Sequence, residues 1–131
     1  MTTRGSQYRG TREFLLVYCA LIRAAQQATL LHYKEVAQHL GIHHAGHHMA
    51  RQVGQVLGEI SEDEHQAGRP MLSAIAVNEA GFPGDGFFKL ARRLGKLTTQ
   101  DARAEEQFLY SERNSVYATW ARSAQGREAA G

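Results

Sequence analysis

The feature that most narrows the fold is a pair of short apolar helices joined across a turn bounded by glycine. Val36, Ala37 and Leu40 recur at helical spacing from Tyr33 onward, and Gly41 follows as a residue able to take the positive φ that ends such a helix. After the turn GIHHAG, a third helix is expected from about His47 to Ile60, burying Met49, Val53, Leu57 and Ile60 and presenting His48, Arg51, Gln52 and Gln55 outward. Ala37 is small enough for two helices to approach closely, as in a helix-turn-helix. Gly54 and Gly58 weaken the third helix, which reads as tight internal packing, with close approach of a ligand as the alternative.

The flanking segments extend this unit. Thr11 can cap a first helix in which Phe14, Leu15, Tyr18, Leu21, Ile22 and Ala25 form one apolar face through about Gln27. Met71–Val77 reads as an apolar strand, Asn78–Gly81 as a turn and Phe82–Gly86 as a short return strand, which makes a β-hairpin wing. A helical turn or two from Phe87 ends at Gly95. A last helix runs from about Asp101 to Ala121, with Ala104, Phe108, Glu112, Val116 and Trp120 on the stripe expected to pack on the first helix. The expected fold is α+β, a winged helix-turn-helix with a short β-hairpin and an added long C-terminal helix. Residues 11–121 form its single domain, between a flexible basic arm (1–10) and a frayed tail (122–131).

Composition excludes several classes. The chain has 131 residues and a formal net charge of +2, so a basic face has to come from uneven distribution. Acidic residues do crowd into Glu59–Glu64 and Asp101–Glu106. The single cysteine, Cys19, excludes an intramolecular disulfide or a cysteine-based zinc cluster, and its apolar neighbours suggest a buried thiol in a reducing cytoplasm. No apolar run approaches the roughly 18 residues of a membrane span, and the opening MTTRGSQYRG has no signal-peptide core, so no membrane partner is expected.

The residues that could carry chemistry point to binding. His43, His44, His47 and His48 fit no zinc spacing, and no metal or other cofactor is assigned to them. At a helix N-terminus they could instead attract a phosphate, or form a solvated turn. Glu59, Glu62, Asp63, Glu64, His65 and Asp85 could in principle gather a divalent cation for a nuclease, the weakest of the readings. No nucleophile elbow, P-loop or dinucleotide motif is present, and no catalytic residue is assigned. The leading expectation is non-catalytic binding of nucleic acid, duplex DNA first. His47, His48, Arg51, Gln52 and Gln55 would meet the groove, and Arg69, Lys89, Arg92 and Arg93 the phosphates. The alternative is an assembly module, in which Tyr110, Tyr117 and Trp120 make the C-terminal helix a homodimer contact.

Tyr33-Lys34-Glu35-Val36-Ala37, then Arg51-Gln52-Val53-Gly54-Gln55-Val56-Leu57, then Pro70-Met71-Leu72 and the glycines from Gly81 to Gly86 resemble the DNA-binding domain of the O6-alkylguanine-DNA alkyltransferases and alkyltransferase-like proteins. The resemblance covers roughly residues 30–88. It implies that Arg51 stands where the family inserts an arginine into the duplex as the damaged base leaves the stack. The family's Pro-Cys-His-Arg-Val acceptor is missing, since Leu72-Ser73-Ala74-Ile75-Ala76-Val77 stands there, and the implied activity is binding without alkyl transfer. The stretches GEISEDEHQAGRPMLSAIAVN and GFPGDGFFKLA are also similar to small bacterial proteins, a likeness that implies no activity.

Overall fold

A computed structural model of the chain describes residues 7–121. Five helices, α1 (Arg12–Gln26), α2 (Tyr33–His39), α3 (His47–Gln66), α4 (Asp85–Arg93) and α5 (Ala102–Trp120), surround a small parallel sheet of β1 (Leu31–His32) and β2 (Ala76–Val77). The fold is therefore α+β. Among the described residues no helix is long and apolar enough to cross a membrane. The tail from 122 to 131 and arm residues 1–6 lie outside the described residues.

Local chemistry starts and stops these helices where side chains can satisfy their free backbone groups. Thr11 Oγ1 accepts from Phe14 N at 3.1 Å and caps α1, as its position suggested. Glu35 reaches back to His32 N at 3.2 Å to close the start of α2, and Gly41 follows α2 at φ 76°. Asp101 caps α5 by accepting from Ala104 N at 3.0 Å. The third helix runs six residues past the expected end at Ile60, its buried side continuing in polar Ser61 and Glu64, before Gly68 turns the chain at φ 79°.

The centre of the core is Met71–Val77, seven consecutive buried residues packed between α1, α3 and α5. The expected hairpin does not form. Leu72–Ile75 coil into a turn of 3-10 helix, and the two residues that remain extended pair in parallel with β1, Leu31 with Ala76 and His32 with Val77. The physical reason is burial on every side: with no wet face, the run carries no alternation to hold a two-residue period, and small Ser73 and Ala74 accept the tighter coil. Asn78 then turns the chain by accepting from Ala80 N at 2.9 Å and Phe82 N at 3.3 Å. The presumed return strand is spent on buried Pro83 and on starting α4 at Asp85.

Two side chains of α5 tie this central segment down. Glu112 accepts from Met71 N at 2.8 Å and from Lys96 Nζ, and Arg113 Nε donates to Ala74 O at 2.7 Å. Leu109, Glu112 and Val116 are the buried positions of α5, and Phe108 and Trp120 of the expected stripe are half-buried. Cys19 is exposed, contrary to expectation. Phe14, Val17, Leu21, Ala24 and Ala25 set the inward side of α1, and Cys19 lies two residues from Val17, nearly opposite it.

Candidate nucleic-acid interface

The outward side of α3 divides into two strips with different neighbours. With about 3.6 residues per turn, Ala50, Gly54, Leu57 and Gly58 fall together, His47 and Arg51 border them, and Gln52, Gln55 and Glu59 lie further round. The first strip looks into a cleft of about 180 Å³, closed by Tyr33, Ser73, Gly84–Gly86, Phe87 and Leu90. The second is covered by residues 7–10.

Gly54 and Gly58 form one wall of the cleft, and a Cβ built on either meets nothing within 4 Å. Tight internal packing is therefore not their role. Each should accept alanine with a gain of about 0.5–1 kcal/mol, because a mid-helix glycine loses more backbone entropy on folding. Urea melts of Gly54→Ala and Gly58→Ala check this. A bulky Gly58→Leu is expected to keep that stability and yet abolish any function that uses the cleft.

Across from the glycines, Tyr33 Oη accepts from Gly84 N at 2.7 Å, which fixes the entry to α4. Burial raises the Tyr33 phenol above its ordinary 10.0, with nearby Asp85 adding to the rise and the Gly84 N–H opposing it. The hydroxyl therefore stays protonated as a hydrogen-bond donor. A phenol with a raised folded-state pKa adds stability that is fully present below its unfolded pKa of 10.0 and is lost as pH rises through the folded value. Tyr33→Phe should accordingly flatten part of the fall in stability above pH 10, measured by denaturant midpoints against pH. Tyr8, Tyr18 and Tyr117 are also raised, chiefly by burial, and should contribute to the same fall. At the cleft floor, Ser61 Oγ donates to Ser73 Oγ at 2.8 Å and accepts from Ser73 N at 3.1 Å.

The residues expected to read nucleic acid are thus separated. His47, His48 and Arg51 are exposed, and the rings of His44 and His48 stack at 5.8 Å with an 11° tilt. Gln52 accepts from Tyr8 Oη, and Gln55 Nε2 donates to Glu59 Oε2 at 2.8 Å, so both amides are engaged inside the protein. Arg69 pairs with buried Glu64 and lies over the Trp120 ring at 5.5 Å. Arg92 donates to Thr99 O and Glu105, and Arg93 to Glu62. Lys89 is exposed and, one turn from Arg93, shares its side of α4. Among the described residues Arg51 and Lys89 enter no ion pair.

The other two expectations meet the same geometry. Glu62 and Asp63 bind Arg9, Glu59 receives backbone N–H groups, and among the described residues no three His, Cys, Asp or Glu side chains converge as a metal site would require. Of the aromatics offered for assembly, Tyr110 is 52% exposed, but Tyr117 donates to Thr29 O at 2.9 Å and Trp120 is half-buried. Comparison with known proteins adds no assignment: no family model, no curated protein and no solved structure matches the chain.

Proposed function

We propose that this protein binds duplex DNA without chemical turnover, docking the His47–Arg51 strip of α3 on the duplex and admitting one unstacked base to the cleft beside it. The observation that carries the reading is the juxtaposition of Arg51, a cation with no ion pair among the described residues, with a glycine-walled cleft at its side. On this reading α2 and α3 act as a winged helix-turn-helix, and the loop from Asn78 to Gly84 stands in for the missing hairpin wing.

Three features support it. The N-terminus of α3 follows Gly46 at φ 130° with four histidines around it, so free N–H groups, the helix dipole and imidazoles all favour phosphate there. Lys89 extends the unpaired positive charge onto α4. At about 180 Å³ the cleft is smaller than a drug-sized pocket and suits a single planar ring, which Leu57, Phe87 and Leu90 would contact and the Tyr33 and Ser73 hydroxyls would orient. Ser73 has no thiolate with which to accept an alkyl group, and Cys19 sits on the exposed side of α1, away from the cleft lining.

A duplex carrying 2-aminopurine tests this reading. Binding should brighten the fluorophore as it leaves the stack, and Gly58→Leu should bind the same duplex without the brightening. Tight binding with no brightening in the unaltered protein removes the base-accepting cleft. Absence of duplex binding removes the whole reading.

A further inference from the structure

The segment Gln7–Gly10, part of the stretch expected to be a flexible arm, is held along the second strip of α3. Three successive backbone N–H groups converge on one carboxylate that is 2% exposed: Gln7 N reaches Glu59 Oε2 at 2.7 Å, while Tyr8 N and Arg9 N reach Glu59 Oε1 at 3.1 and 2.9 Å. Gln55 holds the same carboxylate from the helix side at 2.8 Å. Around this latch Tyr8 Oη donates to Gln52, and Arg9 spans to Asp63 at 2.9 Å, Glu62 at 2.8 Å and the Glu59 carbonyl at 3.1 Å. A buried carboxylate that accepts several N–H groups is a strong, charge-assisted site.

We propose that the Gln52–Gln55–Glu59–Glu62–Asp63 strip is a docking surface for the chain's own Gln7–Gly10 segment, and that the docked segment masks the acidity of α3 so that the helix can approach a polyanion. The masking rests on the duplex-binding reading above; the docking does not. Glu59, Glu62 and Asp63 share α3 with Arg51 and would repel phosphate on their own. With the segment in place Arg9 pairs with Glu62 and Asp63, Arg93 pairs with Glu62, and backbone N–H groups meet Glu59; without it Arg93 on Glu62 is, among the described residues, the only cation left against the three. Along the axis Glu59 is about 12 Å from Arg51, and Glu62 and Asp63 about 17–18 Å, beyond the screening length of about 10 Å at moderate salt, so the mask acts at low ionic strength. Gln52 and Gln55 then serve as the seat of the segment rather than as readers of base edges.

Two measurements on the full chain test it. Hydrogen exchange reads the docking alone: the Tyr8 and Arg9 amides should be protected, and Glu59→Gln should speed their exchange by about tenfold or more, the loss of a charge-assisted bond. Free exchange of these amides in the unaltered protein overturns the docking. Affinity for a fluorescein-labelled 20-base-pair duplex at low salt reads the mask. Arg9→Ala should weaken binding by about tenfold, and adding Glu62→Gln and Asp63→Asn should restore it nearly to the original level. A rise in affinity in Arg9→Ala makes the segment an obstruction. A triple variant that stays weak makes Arg9 a direct phosphate contact. Either result overturns the mask. If the unaltered protein binds no duplex, the binding reading and the mask fail together, and amide exchange still decides the docking.

Discussion

Glu112→Ala is expected to destabilise the protein by about 2–4 kcal/mol, since it strips a buried N–H of its acceptor and breaks a partly buried ion pair. The carboxylate is 7% exposed and does two things at once: it accepts from Met71 N, where the central segment begins, and it neutralises Lys96. Truncation leaves a buried N–H and an ammonium without partners. Since a domain of this size is stable by only about 5–15 kcal/mol, the variant should lose a large part of its margin. Glu112→Leu combined with Lys96→Met should recover part of the loss, because the charge has gone with its partner. The Met71 N–H stays unpaired and should still cost about 1–3 kcal/mol. Urea midpoints with unchanged slope are the measurement, and a loss under 1 kcal/mol in Glu112→Ala would mean that Glu112 does not anchor the core.

Arg51→Glu is expected to lower duplex affinity by about 10- to 100-fold at low salt and to reduce the salt slope by about one unit, with no change in melting temperature. The side chain is exposed and enters no ion pair among the described residues, so reversing its charge leaves the fold intact. The same reversal at Arg92 is a useful contrast. Arg92 holds Thr99 O and Glu105 within the protein, so Arg92→Glu should cost stability before it costs binding. Equal losses of affinity with intact stability at both positions would mean that the basic surface is wider than the strip beside the cleft.

Short-range features were legible in the sequence because neighbours in the chain cause them. Thr11 and Asp101 cap their helices, Gly41 and Gly95 end theirs at φ 76° and 78°, and Phe14, Leu21 and Ala25 of the α1 row are buried, although Leu15 is 62% exposed and Val17 and Ala24 are buried in its stead. The path of Met71–Val77 is not legible in the sequence because a segment buried on all sides has the same apolar run whether it is strand or 3-10 helix. Its partner, Leu31–His32, is forty-five residues away in register and only two residues long.

The candidate site was legible only in part, for a related reason. The α3 spacing put Arg51 outside, and Arg51 is outside. Nothing in the local pattern divided that side into a cleft and a covered strip. The hydrogen bonds that lay Gln7, Tyr8 and Arg9 along this strip join residues 44 to 54 apart, and their only trace in the sequence is a basic segment facing an acidic run. Gly54 and Gly58 did give a usable signal, since two weak helix formers one turn apart require a reason. The open space beside them favours a ligand over tight internal packing.

The affinity of the unaltered protein for a duplex, followed as a function of salt, decides whether α3 docks on DNA. Log K is expected to fall linearly with log salt, with a slope that steepens by about 0.9 for each phosphate neutralised, and binding should weaken sharply toward physiological ionic strength. Binding indifferent to salt, or no binding even at low salt, would contradict that docking.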